Sequence, residues 1–155
     1  MPQKRTRSSR PVEKAGSQEE KFPSGNYIVF LSHSSRDTWL AVQLKKMIET
    51  EIPGVEVWLD EFSLTGGEEI NLALRTGMRR SSEVIVIVSN ESLRSQWVAW
   101  EIGMAAAWKK RITPLLNNVD YDAMAPLKGV KSYELNMFER FLIELRRRAT
   151  KPSRV

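Results

Sequence analysis

Cysteine is absent from this 155-residue chain, which removes disulfides and thiolate-bound metal from consideration. One histidine, His33, argues against a zinc centre and against a Ser-His-Asp triad. No apolar run is long enough to cross a bilayer, and no apolar segment near the start reads as a secretory signal. Glycine-rich phosphate loops are missing as well. Neither G-x-G-x-x-G after a first strand nor G-x-x-x-x-G-K-[ST] occurs, and Gly66-Gly67 is followed by Glu68 and Glu69, a poor cradle for phosphate. What these absences leave is a cytoplasmic domain, one rather than two, since 155 residues bury a single full core.

The formal charge of +5 suggests nucleic acid until its distribution is considered. Residues 1–24 hold six Lys/Arg and three acids, and residues 146–155 hold five Lys/Arg and none. The body between carries 13 bases and 16 acids, so along the sequence the excess sits on the ends. A phosphate-binding face is expected within a fold, so neither nucleic acid nor membrane is the expected partner. Residues 1–24 are polar and mixed in charge, and read as a disordered leader. Residues 25–148 read as the domain, and residues 149–155 as a basic tail.

Within the domain, "YIVFLS" is a short apolar run of the kind buried on both faces of a sheet. Ser34 and Asp37 have the spacing of a helix cap, and the helix through "DTWLAVQLKKMIET" is expected to bury Leu40, Leu44, Met47 and Ile48. Pro53 and Gly54 end it. Val55–Leu59 is a second strand, and Thr65 with Glu68 again has capping-box spacing ahead of a helix near 68–79. Val84–Val88 reads as the central strand. Ser92 or Ser95 opens a tryptophan-rich helix whose C-terminus is suited by Lys109, Lys110 and Arg111. "RITPLL" is a fourth strand, placed near an edge by Pro114, which cannot donate to a ladder. "VKSYEL" supplies a fifth, and a last helix is expected to bury Met137, Phe141, Leu142 and Leu145. Strands alternating with helices imply an α/β, flavodoxin-like three-layer fold with a central, mostly parallel five-stranded sheet. Ligands of such folds sit beyond the carboxyl ends of the strands, here 32–37, 60–67 and 89–97. A phospho-receiver shares the architecture but needs acids after its first strand, where this chain has Ser32-His33-Ser34.

The least polar stretch, "WVAWEIGMAAAW", holds three of the five tryptophans and one charge, Glu101. An ionised carboxylate in apolar surroundings is paired, shifted in pKa, or kept at a cleft for chemistry. Trp97 and Glu101, four apart, share one face of the helix that begins at the ligand edge. An ion pair with a residue such as Arg36 and a catalytic role both fit this spacing.

In order, "YIVFLSHSSRD", "VEVWLDE", "GGEEI", "SSEVIVIVSNESLRSQWVAWEIG" and "RITPLL" resemble a bacterial Toll/interleukin receptor (TIR) domain over 26–116. Trp97 to Glu101 matches that family's W-x-x-x-E motif. The second loop, "LTGGEEI", lacks the Pro-Gly common in animal receptors, and the chain after Leu116 matches little. The resemblance implies an NAD glycohydrolase in which Glu101 is catalytic and NAD is a substrate, with no cofactor. It also implies substrate contacts from Trp97, Ser32 and His33, and from Asp60 and Glu61 in the loop after the second strand. Products are nicotinamide and ADP-ribose or a cyclic isomer. Self-association through TIR contacts, a separate sensor or effector protein, and a setting in antiphage defence follow by analogy. The alternatives are a non-enzymatic TIR interaction module and a nucleoside deoxyribosyltransferase-like enzyme.

Overall fold

A computed structural model describes residues 27–59 and 67–151, with side chains of the second stretch from Leu72 onward. Five strands form one parallel sheet, β1 (Tyr27–Ser32), β2 (Val55–Leu59), β3 (Glu83–Val88), β4 (Arg111–Leu116) and β5 (Tyr133–Glu134). They lie in the order β2-β1-β3-β4-β5. Four helices connect or follow them, α1 (Thr38–Glu51), α2 (Gly67–Arg80), α3 (Gln96–Ala107) and α4 (Phe138–Ala149). Helices α1 and α4 pack on one face with Val29, Leu31, Ile85 and Ile87. Helices α2 and α3 pack on the other with Phe30, Val84, Val86 and Val88. This division is the period-two alternation of β1 and β3 made visible. All six residues of β3 are buried, as a central strand covered on both faces requires.

Several local expectations need correcting. Met47 is 46% exposed, because α1 buries the stripe Ala41, Leu44 and Ile48 and Met47 lies round the helix from it. Met137 is 39% exposed in a turn before α4, whose inward stripe starts instead at Phe138. Ser34 and Asp37 form no side-chain cap on the turn or on α1. At α3 it is Ser95 that caps, its hydroxyl accepting from Val98 N at 3.2 Å. Lys110 serves a different helix from the one expected. Its Nζ donates to the carbonyls of Arg79 (2.8 Å) and Ser81 (2.5 Å) at the end of α2, and burial lowers its pKa. The placement of Pro114 holds, since β5 pairs only with Leu115 and Leu116 and leaves the start of β4 at an edge. The proposed cap at Thr65 lies outside the described residues.

At the amino edge of the sheet, where β3 begins, Glu83 is fully buried. Arg148 of α4 grips both its oxygens, Nε at 2.7 Å and a terminal nitrogen at 3.0 Å, and the Tyr27 hydroxyl donates to it at 2.9 Å. Burial, reinforced by the Glu83 charge, pushes the Tyr27 hydroxyl up to about 12. This knot ties the first strand, the central strand and the last helix together.

Candidate active site

Strand order reverses direction between β1 and β3, and in open parallel sheets the crevice beyond that point is where ligands bind. Ser32 ends β1 there. It shares the face of Phe30, the face covered by α3, so its hydroxyl points toward that helix. Glu101 sits one and a half turns into α3, and the Ser32 hydroxyl donates to its Oε2. Both residues are fully buried. The two residues lie 69 apart in sequence and meet because β1 and β3 are neighbours.

The adjoining loops form a second polar cluster. Asp37 Oδ2 accepts from the Ser34 hydroxyl at 2.9 Å and from the Ser89 hydroxyl at 2.6 Å, bridging the loops after β1 and β3. Ser92 donates its hydroxyl to Ser89 O at 3.1 Å and accepts from Ser89 N at 2.7 Å. In the sequence Ser89 stands out only as a member of a polar edge, and Ser92 and Asp37 only as candidate helix caps. Their joint role depends on the adjacency of β1 and β3, which spacing alone does not fix. The serines of "SHSSRD" and "VSNES" after two apolar strands are the available signal.

His33 takes the opposite side of the strand end, as alternation dictates. It is buried, with Nδ1 3.3 Å from the Leu31 carbonyl and Nε2 3.4 Å from the Thr38 hydroxyl. A carbonyl only accepts, so Nδ1 is the donor in the first contact. His33 is thus held toward α1, while Ser32 is held toward Glu101. Trp97, one turn before Glu101, is half-buried against the α2/α3 core and tilts against Trp100 with ring centroids 5.3 Å apart. Arg36 is exposed on its turn. Asp60 and Glu61 lie outside the described residues. A hollow of about 640 Å³ between α2 and the outer face of α3 is lined by Arg75, Trp100 and Trp108, away from the sheet's carboxyl edge.

Chemically, the site offers a buried carboxyl group within a low-dielectric wall, engaged by the Ser32 hydroxyl. Such a group binds sugar hydroxyls and stabilises nearby positive charge far more strongly than it would in water. Its complete burial means that a ligand reaches it only after neighbouring groups move. Among the described residues no His/Cys/Asp/Glu cluster suited to a metal ion is present, and no helix is long and apolar enough to cross a membrane.

A parallel α/β sheet in the order 2-1-3-4-5, with a buried glutamate at its switch point, defines a class wider than one family. The TIR domain family model matches residues 29–145, and the chain belongs to that family. Its relatives include the 2' cyclic ADP-D-ribose synthase AbTIR of Acinetobacter baumannii, 32% identical over 77 residues, 49% of this chain and 28% of that protein. Another is the NAD(+) hydrolase PdTIR of Paracoccus denitrificans, 28% identical over 102 residues, 63% of this chain and 33% of that one. The chain therefore spans a third or less of the length of these relatives. Among solved structures, the TIR domain of the Toll-related receptor TRR-2 of Hydra magnipapillata superposes with a TM-score of 0.60 at 16% identity, covering 79% of this chain and 98% of that one. A 2-desoxiribosyltransferase from Leishmania mexicana reaches 0.57 at 11% identity, covering 76% and 97%. Both likenesses concern the fold alone.

Proposed function

We propose that this domain cleaves NAD at the bond between nicotinamide and ribose, with Glu101 as the catalytic residue. The observation that carries the reading is a W-x-x-x-E glutamate, fully buried at the switch point and bound by a hydroxyl from the first strand. Relatives named NAD(+) hydrolase and 2' cyclic ADP-D-ribose synthase support the substrate.

Most glycosidases use two carboxylates, one of them to protonate a poor leaving group. Nicotinamide is attached as a pyridinium. When its C–N bond breaks, the electron pair returns to the ring nitrogen and nicotinamide departs neutral, without an acid. One carboxylate then suffices. Glu101 orients ribose hydroxyls and stabilises the positive charge that grows on the ribosyl carbon. The Ser32 hydroxyl marks the mode in which a ribose hydroxyl engages Oε2, and Ser32 holds the carboxylate in place for it. Trp97 walls the nicotinamide end, His33 lines the strand tip, and Asp60 and Glu61 contribute from the loop after β2. Water adds to the cation and loses a proton to give ADP-ribose, or an adenosine-side hydroxyl adds to give a cyclic isomer. NAD is consumed as substrate, and no cofactor is needed. Self-association of copies exposes or completes the buried site, in a cytoplasmic defence response triggered by a separate protein.

The full burial of Glu101 also favours a second reading, a non-enzymatic interaction module in which the glutamate is structural. Nicotinamide release from NAD by concentrated protein, beside a folded Glu101→Gln variant, separates the two. Release by the wild type alone supports the enzyme. Absence from both, even under crowding, overturns it. Base exchange on deoxynucleosides with NAD untouched points instead to transferase chemistry.

A further inference from the structure

In sequence the excess of bases sits on the two ends of the chain, but among the described residues the fold gathers bases from the middle of the chain beside the end of α4. Helices of a parallel α/β domain run against the strands, so every helix ends at the amino edge of the sheet. Helix α2 ends there in Arg79 and Arg80. The turn from α3 into β4 adds Lys109, Lys110 and Arg111. Helix α4 ends in Arg146, Arg147 and Arg148, with Lys151 just beyond. Hydrogen bonds tie these segments together, since Lys110 donates to Arg79 O, Arg148 to Glu83, and Arg146 to Glu51 O at 2.8 Å. The acids at or near this edge among the described residues include Glu51, Glu56, Glu83 and Glu144, the last paired with Lys131 at 2.5 Å and 3.7 Å from Arg148. Of these, Glu83 is buried under Arg148, and Glu51 lies 3.7 Å from Arg146. Arg79, Lys109, Arg111, Arg147 and Lys151 remain exposed. The described chain also enters at Tyr27 and leaves at Lys151 on this edge, and further Lys/Arg stand in the sequence beyond both.

We propose that this edge binds the phosphate backbone of double-stranded nucleic acid. The cations span the width of β1, β3 and β4 and their flanking helix ends, against a duplex that offers one charge about every 1.7 Å. Among the described residues the large exposed apolar side chains lie elsewhere, Trp39 and Leu93 at the carboxyl end, Met47, Leu72, Trp100 and Ile143 on helix bodies, Tyr121 in the segment after β4, and Met137 in the turn before α4. Trp108 is half-buried, with the Arg79 guanidinium 5.5 Å over its ring. Nothing among the described residues of this edge is therefore placed to insert into a bilayer or to stack on an unpaired base, and a paired backbone is the occupant that fits. Strand β1 separates the face from Glu101 by its six residues, about 20 Å, so a bound duplex leaves the carboxyl edge uncovered. The inference does not rest on the NAD reading.

The test is fluorescence anisotropy of a labelled DNA duplex titrated with the full chain between about 50 and 200 mM salt. Two double variants remove equal charge, Arg147→Ala with Lys151→Ala on the proposed face, and Arg36→Ala with Arg94→Ala at the opposite edge. The first pair is expected to weaken binding about tenfold and to make the slope of log affinity against log salt shallower by about two, at about 0.9 for each phosphate no longer neutralised. The second pair is expected to change neither. If the first pair lowers the melting temperature, Lys109→Ala with Arg111→Ala repeats the test from the other side of the face. No binding at low salt, or equal loss from both pairs, overturns the proposal. So does preference for anionic vesicles over duplex, or salt-sensitive self-association in its place.

Discussion

Glu83 and Glu101 are both fully buried, at opposite ends of one sheet, and the molecule treats them differently. Glu83, at the amino edge, is held by a guanidinium through two hydrogen bonds and by a tyrosine hydroxyl. Glu101, at the carboxyl edge, receives the hydroxyl of Ser32. A buried carboxylate locked to a cation has its charge answered within the fold and little left for a ligand. A buried carboxylate at the ligand edge, met there by a hydroxyl, lies where the proposed reaction would form a cation. Under the proposed function the first serves the fold's stability and the second its chemistry.

The largest expected effect breaks the first arrangement. Glu83→Gln leaves the Arg148 charge poorly compensated, and denaturant unfolding should show a loss of about 3 kcal/mol, as for other broken buried pairs. Glu101→Gln should cost activity instead, lowering nicotinamide release about 10²- to 10³-fold, the scale on which removing one preorganised electrostatic group acts. Ser32→Ala sharpens the contrast. It withdraws a donor from a buried carboxylate and should destabilise by about 1–3 kcal/mol while also slowing the reaction.

The smallest effect is a pH signature of the amino edge. Tyr27 is neutral when protonated, and burial together with Glu83 raises its folded pKa to about 12 from the ordinary 10.0. The stability it contributes is fully present below the unfolded value and is lost as pH rises through the folded one. Tyr27→Phe should therefore cost about 1 kcal/mol at neutral pH, and its deficit against wild type should shrink as pH climbs from 10 toward 12, read by unfolding at each pH.

Much of the frame was legible in the sequence, for physical reasons. Apolar runs such as "EVIVIV" mark strands buried on both faces, and W-x-x-x-E placed Glu101 on a helix starting at the ligand edge. The helix stripes were less legible, because Met47 and Met137 are apolar enough to fit a pattern without facing the core. What was not legible was who meets whom. Lys110 stands after α3 yet caps α2, and Asp37 looks like a cap yet clamps Ser34 to Ser89. Glu83 gave no sign of its partner 65 residues away. Each of these contacts is made by strand order, which local spacing does not carry.

The most direct test of the contrast is the unfolding free energy of Glu101→Gln measured beside wild type. If the buried carboxylate is kept for chemistry, Glu101→Gln should cost the fold clearly less than Glu83→Gln does, since glutamine still accepts the Ser32 hydroxyl. A loss matching that of Glu83→Gln would contradict the account and return Glu101 to the fold.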